Sequence, residues 1–139
     1  MRVLDLKTME GYKRRIMDTL LEKKLQAKGA VLIEGPKWCG KTTTAEEIAA
    51  SKIMLSKPDI KEHFKSLLEI DTDAALAGEA PMLIDEWQTV PKLWDAVRYT
   101  VDHRHKMGQF ILTGSAVPDK EAEKEREHSG TGRFAWLTM

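Results

Sequence analysis

The chain has 139 residues, 42% of them hydrophobic and 32% charged, the balance of one soluble globular domain or a large part of one. Its 22 Lys+Arg offset its 22 Asp+Glu, so no overall charge draws it to nucleic acid or an anionic membrane, and such a partner would need a local patch. The single cysteine, Cys39, rules out an internal disulfide and fits a reducing cytoplasm; residues 1–10 are too charged for a signal peptide, and no apolar run nears the roughly 20 residues of a membrane span.

Residues 12–28 read as a helix, because Ile16, Leu20, Leu21 and Leu25 recur at helical spacing and Gly29 supplies a stop. Ala30-Val31-Leu32-Ile33-Glu34 is a short, β-branched apolar run ending at Gly35, which reads as a buried strand. A helix is expected over 42–51, then a second strand at Ile53-Met54-Leu55, which Pro58 breaks. Residues 60–68 look helical, with Phe64, Leu67 and Leu68 on one side, and 71–78 are ambiguous. Pro81 introduces Met82-Leu83-Ile84, an apolar strand ending in Asp85-Glu86. Pro91 suits the first turn of a helix running to about Lys106, with Leu93, Trp94, Val97 and Val101 as its apolar face. Residues 109–114 form a further buried strand, the charge run 119–127 reads as an exposed helix or mobile loop, and 133–139 form a final strand.

Strands that alternate with helices and are apolar throughout predict an α/β fold with a parallel sheet covered on both faces. An N-terminal helical segment, 1–29, packs on a core spanning 30–139. The chain stops at Met139 inside a strand-like pattern, so a further C-terminal part is expected beyond it.

Gly35-Pro36-Lys37-Trp38-Cys39-Gly40-Lys41-Thr42 matches G-x-x-x-x-G-K-[ST]. The glycines let the backbone turn tightly and bring its N–H groups to phosphate oxygens. The helix opening near Lys41 points its positive end at the same anion. Lys41 reaches the β- and γ-phosphates, and the Thr42 hydroxyl coordinates Mg²⁺. The motif follows a strand and opens a helix, the context it requires. The nucleotide-binding set is therefore Gly35, Pro36, Lys37, Trp38, Cys39, Gly40, Lys41, Thr42 and Thr43. Within it, Cys39 reads as a small filler rather than a redox thiol, and Trp38 as packing on the loop's flank rather than stacking on a base.

Asp85 and Glu86 end an apolar strand 44 residues after Lys41. Asp85 is expected to hold Mg²⁺ and Glu86 to polarise the water that attacks the γ-phosphate. The next strand ends Thr113-Gly114-Ser115; Thr113 or Ser115 could sense the phosphate or position water, and pattern does not choose between them. Arg133 stands before the last strand, where an arginine could reach the phosphates of its own or a neighbouring subunit's nucleotide. Lys41, Glu86 and Arg133 thus form the expected catalytic set. His103 and His105 are two residues apart and do not share a helix face, so a metal site there is not expected.

Together these stretches resemble the prokaryotic AAA-type P-loop ATPases of the AAA_14 class, which usually carry a DUF4143 domain behind the ATPase core. The resemblance rests on residues 34–43, on Leu83-Ile84-Asp85-Glu86-Trp87-Gln88 with Pro91, Leu93, Trp94 and Arg98, on residues 110–115, and on Gly132-Arg133. It implies a P-loop NTPase three-layer sandwich with the RecA/AAA-like strand order 5-1-4-3-2. It also implies ATP hydrolysis, with Lys41 and Thr42 in the phosphate loop, Asp85 and Glu86 as the acidic pair, and a looser match of Arg133 to an arginine finger. Homo-oligomers or partner proteins would be engaged through the missing C-terminal part.

Other classes compete less well. A GTPase switch needs a guanine-reading Asn-Lys-x-Asp segment, and the chain has no asparagine. A small-molecule kinase would need a basic lid, and 119–127 is mixed in charge. A regulatory or DNA-associated module that hydrolyses ATP slowly remains the main alternative.

Overall fold

The computed structural model describes residues 6–36, 40–115 and 132–139. Five runs pair as strands: β1 (Ala30–Glu34), β2 (Ser51–Met54), β3 (Met82–Asp85), β4 (Phe110–Gly114) and β5 (Phe134–Thr138). All pairings are parallel, in the order β2-β3-β4-β1-β5. From the other edge this reads 5-1-4-3-2, the order expected from the resemblance. The central strands β1, β3 and β4 are buried almost throughout, which is why they read as continuous apolar runs instead of alternating ones.

Helices cover both faces. On one side lie α1 (Leu6–Ala27) and α2 (Lys41–Ile48); Leu21, Leu25 and Ala45 pack there against Val31, Ile33, Leu83, Ile111 and Leu137. On the other lie α3 (Pro58–Ile70), α4 (Thr72–Ala75) and α5 (Leu93–Arg104), with a 3₁₀ turn at Trp87–Thr89. Phe64, Leu68, Trp87, Leu93, Trp94 and Val97 pack there against Leu32, Ile84, Phe110, Leu112 and Phe134. The two sets of strand residues alternate along each strand, as the pleat requires.

Several boundaries differ from the sequence expectation. The first helix begins at Leu6 rather than residue 12 and runs through Gly11, since a glycine weakens a helix without ending it. The loop helix α2 ends at Ile48, because Ala49 turns extended and β2 starts at Ser51, earlier than Ile53. Pro58 opens α3 at its first turn, where its missing N–H has no helical partner to lose. The ambiguous 71–78 stretch contains α4, capped by the Asp71 carboxylate, which accepts from the Ala74 N–H. Pro91 precedes α5, which starts at Leu93, because the 3₁₀ turn takes up the chain first. The 119–127 charge run lies outside the described residues.

Candidate phosphate-binding site

Parallel strands carry their loops at the C-terminal edge of the sheet, where α/β proteins place ligands. Glu34 of β1 lies level with Gly114 of β4, and Asp85 of β3 with Thr113 of β4. Three candidate segments therefore converge at one edge: the Gly35 loop after β1, Asp85-Glu86 at the end of β3, and Thr113-Gly114-Ser115 at the end of β4. Strand order makes the convergence possible, because β4 lies between β1 and β3.

Gly40 stands at φ +91°, immediately before α2. That left-handed conformation costs a residue with a Cβ about 1 kcal/mol or more, so the glycine is required to swing the chain into the helix. Gly35 is buried, Pro36 exposed, Thr43 exposed on α2, and Lys37, Trp38 and Cys39 lie outside the described residues.

Lys41 is only 4% exposed. Its ammonium donates to the Pro36 carbonyl oxygen at 3.3 Å, folding back over the loop. Among the described residues no carboxylate pairs with it. A buried cation that meets a single carbonyl among the described residues is poorly compensated by them, and the group that would compensate it is an anion.

Beside Lys41, three side chains from three elements meet on one oxygen. Thr42 Oγ1 of α2 donates to Asp85 Oδ1 at 2.8 Å, and Thr113 Oγ1 of β4 donates to the same oxygen at 2.6 Å. Asp85 and Thr113 occupy one register row and face the α1/α2 layer, as Ile33 does in that row. Both donors fall on Oδ1, so Oδ2 has no hydrogen bond among the described residues. The Thr113 hydroxyl also accepts from the Glu86 N–H at 3.4 Å.

Glu86 itself adopts φ 57°, ψ 48°, ending β3 and turning the chain into the 3₁₀ turn. Its carboxylate accepts from Gln88 Nε2, and its carbonyl accepts from the N–H and hydroxyl of Thr89. The Ser115 hydroxyl is buried and has no partner among the described residues. Thr113 and Ser115, left open by the sequence, are thus distinct: Thr113 is committed to Asp85, and Ser115 is uncommitted.

Arg133 is placed elsewhere. It precedes Phe134, which lies level with Ala30 at the start of β1, so it sits at the opposite edge of the sheet. Five residues at about 3.3 Å each put it on the order of 15 Å from the loop. Its Nε donates to Asp102 Oδ1 of α5 at 2.6 Å. That hydrogen bond holds the Asp102 carboxyl below its ordinary range, and the carboxylate in turn raises the Arg133 guanidinium. The expectation that Arg133 could reach its own nucleotide is therefore corrected by the direction of β5.

Two contributors escaped sequence reasoning. Gln88 was visible only as part of the Asp-Glu-Trp-Gln run, and its bond to Glu86 depends on the left-handed turn between them. Gly114 looked like a turn glycine; a Cβ there would lie 2.8 Å from both Trp87 Nε1 and Gln88 Oε1, so its smallness admits the turn against β4.

The model of the AAA_14 family, described as an AAA domain, matches residues 27–139. The chain belongs to this family. Two uncharacterized proteins, one of Mycobacterium bovis and one of Mycobacterium tuberculosis, are each 31% identical over 107 residues, covering 76% of this chain and 24% of their own length. The chain thus spans about a quarter of the length of the curated relatives it matches. The crystal structure of the DnaC helicase loader is similar over 100% of this chain and 93% of its own, at 11% identity and a TM-score of 0.50; at that identity the likeness concerns the fold. The structure of C. elegans PCH-2 is similar over 94% of this chain and 42% of its own, at 14% identity and a TM-score of 0.46. As an AAA domain, the chain is a nucleotide-binding, ATPase-like protein. Among the described residues no helix is long and apolar enough to cross a membrane.

Proposed function

We propose that this AAA domain binds ATP with Mg²⁺ and hydrolyses it, coupling turnover to a conformational change. The observation that carries this is the buried Lys41 ammonium, which lacks a carboxylate partner among the described residues, beside the Thr42–Asp85–Thr113 hydrogen-bonded set. Lys41 leaves the Pro36 carbonyl for the β- and γ-phosphate oxygens, and α2 presents its first N–H groups to the same anion. ATP is favoured over GTP because the chain has no asparagine with which to build the usual guanine-reading segment.

The donor set fits magnesium. Among the described residues no three His, Cys, Asp or Glu side chains cluster, but magnesium beside phosphates needs only one or two protein oxygens and keeps its waters. Thr42 Oγ1 and Asp85 would hold it, and it would neutralise charge building on the phosphates. The Thr113 hydrogen bond keeps Asp85 aimed at that position. Glu86 is the base that takes a proton from the attacking water. Ser115, with its uncommitted hydroxyl, is the residue that senses the γ-phosphate.

Arg133 is too far from its own loop to act there. An arginine-finger role assigns it to the nucleotide of a neighbouring copy, and so requires an oligomer or a partner chain. The segment 1–29 serves as an accessory helical layer on a core of 30–139, and a cytoplasmic site follows from the fuel.

Phosphate release by the full chain and by Glu86→Gln tests the proposal. The wild type is expected to release phosphate from ATP and not from GTP. Glu86→Gln is expected to bind ATP with unchanged affinity and to lose about a hundredfold or more in turnover. Undiminished hydrolysis by the variant would remove Glu86 as the base.

A further inference from the structure

Gln88 carries a side-chain hydrogen bond to the residue directly after β3. It sits in the Trp87–Thr89 turn, and the left-handed conformation of Glu86 brings it back to face the residue two positions before it. Its Nε2 donates to Glu86 Oε2. The orientation of the amide is set by chemistry: a carboxylate accepts hydrogen bonds and cannot donate them, so the nitrogen must face it. Oε1 consequently points the other way. There it is buried, with no partner among the described residues, in space that exists because residue 114 has no side chain.

A buried acceptor without a partner weakens a fold, and such atoms gather where function holds them. The carboxamide is therefore placed by its bond to Glu86 rather than by its own satisfaction. The backbone adds to the hold, since the Thr89 N–H and hydroxyl both donate to the Glu86 carbonyl. Main chain and carboxylate of Glu86 are fixed by the same short turn.

We propose that Gln88 is a positioning residue: it anchors Glu86 Oε2 so that Oε1 is held as the base for the attacking water. The inference rests on the role proposed above for Glu86. As the water oxygen bonds to the γ-phosphorus, its proton passes to Glu86 Oε1. The bond from phosphorus to the β,γ-bridging oxygen breaks, and its electron pair leaves with ADP. Gln88 takes no part in these bond changes; it removes the rotational freedom that an acidic side chain with three rotatable bonds would otherwise lose on the way to the transition state.

The test uses the full chain carrying Gln88→Met, which keeps length and volume but removes both polar atoms, and Gln88→Glu, which keeps shape but sets a second carboxylate against Glu86. Each is made alone and in the Glu86→Gln background. Steady-state phosphate release gives kcat and KM, calorimetry gives ATP affinity, and urea denaturation gives stability. Gln88→Met is expected to lower kcat about a hundredfold with ATP affinity and urea midpoint unchanged. Gln88→Glu falls at least as far. In the Glu86→Gln background, adding Gln88→Met changes turnover no further, because the two residues act as a unit.

Three results in turnover alone overturn the proposal: an unchanged kcat in Gln88→Met, a raised kcat (the amide then restrains Glu86 from acting), or the same fractional loss in both backgrounds. A fall in kcat that tracks a fall in urea midpoint also overturns it, by making Gln88 structural. Failure of the underlying role looks different. Full turnover by Glu86→Gln, or none by the wild type, removes Glu86 as the base and takes the inference with it.

Discussion

At the scale of single residues, the two hydroxyls at the end of β4 separate structure from chemistry. Thr113 is fully buried, donates to Asp85 and accepts from the Glu86 N–H. Thr113→Val keeps the shape but strips a buried carboxylate of one donor, so it is expected to lower stability by about 1–3 kcal/mol and to weaken turnover. Ser115 has no partner to lose among the described residues, so Ser115→Ala is expected to leave the stability read from urea denaturation within about 0.5 kcal/mol of wild type while slowing hydrolysis. Equal stability losses in the two variants would contradict the division of roles. The residues that were legible in the sequence are those whose chemistry is local. Gly35 directly follows β1, Gly40 to Thr42 open α2, and Asp85-Glu86 end a strand. Gln88, Gly114 and the choice between Thr113 and Ser115 were not legible, because each depends on a side chain meeting another strand's end.

At the scale of elements, the edge strand β5 shows how a helix from the other side of the chain is recruited to hold it. Trp94 of α5 lies 4.0 Å from the Phe134 ring, centroid to centroid, with planes 11° apart, and tilts against Trp87 and Trp136. It is only 5% exposed, and α5 reaches β5 again through Asp102 and Arg133. Trp94→Ala removes the centre of this aromatic group and is expected to cost about 3–5 kcal/mol, read as a lower urea midpoint. A loss below about 1 kcal/mol would show that the group packs without stabilising. Helices and strands were legible from their periods. Their ends were less so: Pro58 could as easily stop a strand as start a helix, and nothing in Glu86 announced that it would turn left-handed and insert a 3₁₀ turn before α5. The reach of Arg133 was misjudged for a related reason. Proximity in sequence to a strand says nothing of which edge of the sheet the residue occupies until the strand's direction is fixed, and a parallel β5 puts Arg133 at the edge away from the loop.

At the scale of the whole molecule, the sheet order is what turns separate motifs into a site. With β4 between β1 and β3, the phosphate loop, the acidic pair and the Thr113-Gly114-Ser115 end share one edge, and a buried lysine with no carboxylate partner among the described residues precedes a threonine that, with Thr113, holds the Asp85 carboxylate in place. The central claim is that this edge takes a nucleoside triphosphate through Lys41. Calorimetric titration of ATP with Mg²⁺ into the full chain and into Lys41→Ala tests it most directly. Wild type is expected to bind one ATP, and the variant to lose affinity by at least about a hundredfold, about 2.8 kcal/mol, with its urea midpoint maintained. Equal affinity in the two proteins would contradict the claim.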